Sequence, residues 1–260
     1  MLLNDENIEY INREMSNAVL SIDGRKEVND DLRPTVNGKG SYDVIVPKFQ
    51  KLIEGRGTKD YYLRGTFTRF HQDFAEDVKA LASIGRNISV EPVVGKEDDP
   101  YALQEADLPA LKAEYERLAE YLRDHPETNF FHFNVDLAQG PCVIKRLRGC
   151  GAGCEYVAIT PEGDIYPCHQ FVGNEDYKLG SLYDGTFDKE LSGRFAGLNI
   201  YTREECRDCW ARFYCSGGCS ASNLLVNGDI KKPHRVGCEL ERKRLECAIA
   251  LRAIAAGMAE

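Results

Sequence analysis

The chain has 260 residues, 43% hydrophobic and 29% charged, with a formal net charge of −9. That is the composition of a globular protein with room for one large domain or two small ones. No run approaches the roughly 18 apolar residues of a membrane span, and an acidic balance without a Lys/Arg run argues against nucleic acid as a partner. Residues 1–15 lack the basic and apolar regions of a secretory leader.

The pattern predicts a helix over Asn7 to Met15, with no strand before it. Ala18-Val19-Leu20-Ser21-Ile22, ended by Asp23-Gly24, reads as a buried strand and its turn. Val44, Ile45, Val46, Phe49, Leu52 and Ile53 carry helical spacing, and Pro47 places the helix start near Val46, because proline is tolerated in a first turn. Tyr61 to Thr68 is rich in β-formers and reads as the next strand. A helix follows from Phe74 to Ile84, then a third strand over Asn87 to Glu91. Asp107 is placed to cap a helix reaching about Arg123, with Leu111, Tyr115, Leu118 and Leu122 on one face. Alternating strands and helices imply a parallel sheet. Three strands make a poor sheet alone, so a barrel or half-barrel is favoured over a small complete α/β domain.

The ten cysteines divide the chain. Residues 1–141 contain none, and they carry 17 basic and 26 acidic groups, a net of −9. Residues 142–260 hold all ten cysteines and 16 groups of each sign. Two domains are therefore expected, 1–141 and 142–260. In the second, Cys206, Cys209, Cys215 and Cys219 have the spacing C-x2-C-x5-C-x3-C, preceded by Cys150, Cys154 and Cys168 and followed by Cys238. Thiolates two or three residues apart converge on one centre through a tight turn, and Gly149, Gly151, Gly153, Gly217 and Gly218 permit such turns.

Three chemistries use such a pattern. A disulfide framework fits poorly without signs of secretion. Structural zinc is served by all-thiolate tetrahedral sites. Iron–sulfur clusters suit about eight cysteines with few histidines nearby. His169 follows Cys168 but reads as a hydrogen-bonding surface residue. Cys247 lies in a helical pattern running from Cys238 to Met258 and reads as a packed free thiol. Trp210, Phe213 and Tyr214, between the cysteines, are expected to shield a cluster from solvent.

The sequence resembles the radical S-adenosylmethionine (SAM) enzymes that carry a SPASM domain. The resemblance rests on Cys150…Gly163-x4-Cys168, on Cys206-x2-Cys209-x5-Cys215-x3-Cys219, and on Cys238. The stretch CGAGCEYVAITPEGDIYPCHQFVG, at 150–173, is most similar to the maturases of SCIFF peptides. Ser21-Ile22-Asp23-Gly24 with Asp31-x-Arg33 is similar to the fourth strand and following loop of the radical SAM barrel. The fold implied is α/β: the C-terminal half of a partial (β/α) barrel followed by a small Cys-rich iron–sulfur domain.

The resemblance implies two auxiliary [4Fe–4S] clusters. Cys150, Cys168 and Cys219 belong to the first, with Cys154 and Cys142 as possible extra ligands or an iron site left open for a substrate cysteine. Cys206, Cys209, Cys215 and Cys238 hold the second. Ser21 and Arg33 are the expected contacts to SAM. For Ser21 the alternative is a strand-end hydrogen bond, and for Arg33 a surface ion pair. The C-x3-C-x2-C motif that holds the radical-initiating cluster is missing, since Val157 and Ser222 stand where a third cysteine would be needed. The chain is therefore expected to be a C-terminal portion, inactive alone.

The whole enzyme implied by the resemblance holds SAM and a third [4Fe–4S] cluster and draws electrons from a reductant such as ferredoxin or flavodoxin. It cleaves SAM reductively, and the resulting radical takes a hydrogen from an acceptor residue's Cα. A cysteine of a Cys-rich precursor peptide then closes a thioether. A different maturase of the same superfamily, a sulfatase-type one for instance, a non-catalytic iron–sulfur module and a zinc scaffold are the competing readings. The oxygen sensitivity of exposed clusters suggests an anaerobic, cytoplasmic setting.

Overall fold

The computed structural model describes residues 3–137 and 142–257. The chain forms two compact units, Met1–Val135 with Lys243–Glu260, and Asp136–Arg242. The division expected at 141/142 falls beside residues 138–141, outside the described residues. The end of the chain groups with the first unit rather than with the Cys-rich one.

In the first unit, α1 (Asp5–Glu14) starts at Asn4, whose side chain accepts the Asn7 N–H at 2.8 Å, an N-cap bond. Then come β1 (Asn17–Ser21), α2 (Lys26–Leu32), α3 (Tyr42–Glu54), β2 (Asp60–Phe67), α4 (Phe74–Ala82), β3 (Asn87–Pro92), α5 (Leu108–Asp124) and β4 (Asn129–Phe130). The strands form one parallel sheet in the order β1-β2-β3-β4. The unit is the expected α/β half-barrel, with a fourth strand that the sequence pattern does not reveal. At two residues β4 is too short to show a period.

Along β2 burial alternates. Tyr61, Leu63, Gly65 and Phe67 are buried, and Phe67 stacks on Phe74 of α4, which in turn meets Tyr115 of α5. The other face carries Tyr62, Arg64 and Thr66. Because register partners in a sheet point to the same side, Ser21, Arg64 and Ser89 form one row across this face, and Thr66 and Glu91 a second.

The third helix departs from expectation. It begins at Tyr42, not near Val46, and carries Pro47 inside it. Asp30, on α2, accepts the Tyr42 N–H at 2.7 Å, and Asn29 donates to the buried Ser41 hydroxyl at 3.1 Å. These anchors satisfy the helix start from a neighbouring element, which a reading of local proline preference does not anticipate. The fourth helix ends at Ala82, two residues earlier than expected.

The second unit is built differently. After α6 (Val143–Arg148), β5 (Ala158–Ile159), β6 (Asp164–Tyr166), β7 (Gly180–Ser181) and β8 (Thr186–Phe187) form an antiparallel meander. Then follow α7 (Lys189–Ala196), α8 (Arg212–Cys215), α9 (Ser220–Asn227) and the start of α10 (Arg235–Ala255). The helix expected to end at Met258 thus ends at Ala255, and Met258 itself lies outside the described residues. The core is a cluster around Ile165, Phe171, Leu179, Phe195 and Ile230, and it includes Cys168. Among the described residues no helix is long and apolar enough to cross a membrane.

Candidate metal centre

Cys150 and Cys154 flank a tight loop in which Gly151 and Gly153 have φ of +71° and +80°. Gly153 cannot be replaced without conflict, because a Cβ there would lie 2.7 Å from the Phe195 ring. The loop is thereby seated on the core that also buries Cys168. Gln170, two residues beyond Cys168, reaches Cys219 with its side-chain amide 3.9 Å from Sγ. Burial pushes the Cys168 thiol up, and the Cys219 and Cys150 sulfurs add to the shift. Three cysteines separated by as many as 69 positions in the chain are electrostatic neighbours.

A second set lies along the later loops. Cys206 ends a short 3-10 turn, Cys215 ends α8, and Cys238 stands in the first turns of α10. Arg242, one turn beyond Cys238, places Nη1 3.8 Å from Cys209 Sγ. Burial pushes Cys215 up to about 12 and Cys238 up to about 11. Cys238 further senses Cys206 and Cys209, while Cys215 senses Cys238. Such thiols keep their protons at neutral pH, so a metal entering the site would have to displace them.

Cys142 is exposed at the start of α6. The Cys154 thiol donates to Gly151 O at 3.4 Å. Cys247 is a buried free thiol whose Sγ lies 3.6 Å from Tyr115 O. His169 is exposed. Trp210, Phe213 and Tyr214, expected to act as a shield, are 50%, 37% and 37% exposed. The α8 turn directs Ala211 and Cys215 inward and leaves these rings outside, one of them beneath the Arg212 guanidinium. Among the described residues no group of three or more His, Cys, Asp or Glu side chains is drawn together tightly enough for a single metal ion.

The donor chemistry fits iron–sulfur ligation. Cys168 is electrostatically coupled to Cys150 and Cys219, and Cys238 to Cys206 and Cys209, and soft thiolates are the ligands of such clusters. Positive-φ glycines let the backbone turn sharply beside the sulfurs.

In the first unit, Ser21 and Arg33 line one cavity of about 760 Å³ beside β1, together with Val19, Thr35 and Phe49. Arg33 donates to the buried Asp23, with Nη2 3.1 Å from Oδ1. Asp23 also accepts the Thr66 N–H at 2.9 Å, pinning the loop after β1 to β2.

The sequence reading missed a polar group on the face of the sheet that carries Arg64 and Ser89. Arg64 pairs with Glu91 at 3.4 Å. His132, beyond β4, receives a hydrogen bond at Nδ1 from Arg244 at 3.1 Å. A guanidinium only donates, so the proton sits on Nε2, which donates to Ser89 Oγ at 3.0 Å. Burial, with Arg244 and Arg64 nearby, drives the His132 pKa down to about 3. Strand alternation could have flagged Arg64 and Glu91, but nothing local marks His132.

Residues 150–210 match the SPASM family, described as an iron–sulfur cluster-binding domain. The chain is 28% identical over 225 residues to the mycofactocin maturase MftC of Mycolicibacterium smegmatis, covering 82% of this chain and 55% of that protein. It is 25% identical over 224 residues to the cysteine-type anaerobic sulfatase-maturating enzyme of Clostridium novyi, covering 77% and 56%. The chain thus spans little more than half the length of these relatives. Among solved structures, native anSMEcpe with bound AdoMet aligns with a TM-score of 0.74 at 17% identity, over 98% of this chain and 72% of the other. Streptococcus suis SuiB bound to the precursor peptide SuiA aligns at 0.61 and 19% identity, over 91% and 56%. Residues 150–210 thus carry the match to an iron–sulfur cluster-binding SPASM domain, the chain is similar in sequence to maturases over most of its length, and its fold is shared with enzyme structures that bind AdoMet.

Proposed function

We propose that this chain is the portion of a radical SAM peptide maturase that carries two auxiliary [4Fe–4S] clusters and part of the SAM pocket. The whole enzyme would close Cys-derived thioether links in a Cys-rich ribosomal precursor peptide, with electrons from a reductant such as ferredoxin or flavodoxin. The single observation that carries the cluster assignment is the match of residues 150–210 to an iron–sulfur cluster-binding domain, with the coupling of Cys168 to Cys150 and Cys219 and of Cys238 to Cys206 and Cys209 in support. Cys150, Cys168 and Cys219 would hold the first cluster; Cys206, Cys209, Cys215 and Cys238 the second.

When bound, such clusters supply electron transfer and, where one iron lacks a protein thiolate, a place for a substrate sulfur. The first set of three is one thiol short of a full complement. Cys154 donates to Gly151 O, and Cys142 stands exposed at a helix start, so both are free to complete the set or to leave it open. The core around Phe195 and the Gln170 amide hold this set in place. In the first unit, Ser21 and Arg33 would contact SAM, and the Asp23 carboxylate orients the Arg33 guanidinium toward the cavity they line. Peptide relatives support a peptide substrate: SuiB is described with its precursor peptide. A sulfatase-type modification is the second reading, favoured by the Clostridium novyi relative.

Anaerobic reconstitution tests the assignment. The expected outcome is brown protein with about eight irons per chain, with Cys168→Ala and Cys238→Ala each losing about half. Colourless, zinc-loaded protein would overturn it. Given SAM and a strong reductant, the reconstituted chain is expected to release no 5′-deoxyadenosine; release would show that the chain itself initiates the radical.

A further inference from the structure

Arg203 stands outside every role assigned so far, and its surroundings are unusual. It is 3% exposed. Its guanidinium donates only to neutral acceptors: Gly217 O, Gly218 O at 3.5 Å, Ser220 Oγ at 2.9 Å and Ile230 O at 3.4 Å. The Nε atom is buried without a hydrogen-bond partner. Among the described residues no carboxylate pairs with it. Arginine does not give up its proton in a protein, and burying a cation without a counter-charge is strongly unfavourable.

Burial pulls its pKa down, and the sulfurs of Cys206, Cys215, Cys219 and Cys238 act against that, so ionised sulfur at these cysteines would favour the cation. Its hydrogen bonds reach the turn between Cys215 and Cys219, and its own carbonyl accepts the Cys206 N–H at 3.1 Å. The turn is shaped for it. Ser216, Gly217 and Gly218 all have positive φ, and a Cβ on Gly217 would stand 2.5 Å from Arg203 Nη1.

We propose that Arg203 is a positioning residue and a buried counter-cation shared by the two cysteine sets, fixing the Cys215–Cys219 turn against the Cys206 loop and stabilising the added electron on either cluster. The inference rests on the cluster assignment above. Four thiolates around a [4Fe–4S] core carry net negative charge, which grows on reduction. A fixed cation nearby favours the reduced state and raises the reduction potential.

The experiment is a redox titration of the anaerobically reconstituted full chain, followed by EPR, with iron counted per chain. Wild type, Arg203→Lys and Arg203→Gln are compared. In Arg203→Gln both midpoint potentials are expected to move negative, more for the cluster held by Cys206, Cys209, Cys215 and Cys238, while Arg203→Lys stays near wild type. An iron-replete Arg203→Gln with unchanged potentials would overturn the proposal. If Arg203→Gln loses iron, retention of iron and potential by Arg203→Lys supports it. Equal loss in both variants overturns it, because charge would then be irrelevant. Failure of wild type to take up iron would sink the cluster assignment and this inference with it, a result distinct from wild type loading normally while Arg203→Gln leaves its potentials unmoved.

Discussion

The two units of this chain reach order by different means. The first stacks helices on a four-stranded parallel sheet, and Ile22, Leu63, Phe74, Leu111, Tyr115 and Leu118 all vanish from solvent in it. The second has strands of two or three residues, loops that carry the cysteines, and a core that includes one of those cysteines. The first unit has apolar area enough to pack by burial alone. The second spends much of its chain on turns around sulfur, as small metal domains do, where ligand binding contributes folding free energy directly.

This contrast breaks most easily at the metal. Stripping iron with a chelator under reducing conditions should loosen residues 142–242 while leaving the first unit folded. For thiolate sites the free energy at stake is on the order of 10 kcal/mol. Limited proteolysis with mass spectrometry checks this: cuts confined to that segment are expected, and equal cutting in both units would refute the contrast.

A core truncation probes it from the other side. Phe74 is fully buried between Phe67 and Tyr115, and Phe74→Ala is expected to cost about 3–5 kcal/mol. Urea unfolding should show that loss in the first unit, with iron content unchanged.

A smaller effect depends on pH. His132 has a folded pKa of about 3 against an ordinary 6.5. Between those values the unfolded chain takes up a proton that the folded one refuses, so the stability of the first unit falls as pH drops below 6.5. From pH 7 to 5 the decline is about 2 kcal/mol. His132→Gln, which keeps a donor toward Ser89, should flatten that slope; an unaltered slope would show that other groups cause it.

How much was legible beforehand follows from which interactions are local. The βα alternation, the cysteine spacing and the strand at Asn17–Ser21 could be read because period and turn chemistry are properties of neighbouring residues. The start of α3 could not, since Asp30 anchors it from another element. That Trp210, Phe213 and Tyr214 are half-exposed could not be read from composition, because the local turn decides which rings face out. His132 and Arg203 were invisible. A lone histidine in an aromatic run and an arginine before two glutamates carry no pattern.

By itself, then, the sequence determined that an acidic α/β region precedes a Cys-rich one and that its thiols come in closely spaced groups, because backbone geometry over two to five residues permits only a few arrangements. Local spacing could not say which distant thiols couple, and only the resemblance anticipated it; the folded chain couples Cys168 to Cys150 and Cys219, and Cys238 to Cys206 and Cys209. The tertiary structure alone buried Arg203 against the turn between Cys215 and Cys219. Those choices are made by packing across tens of residues, where the cost of burying a charge or bending a turn is weighed against the whole core rather than against the next residue in the chain.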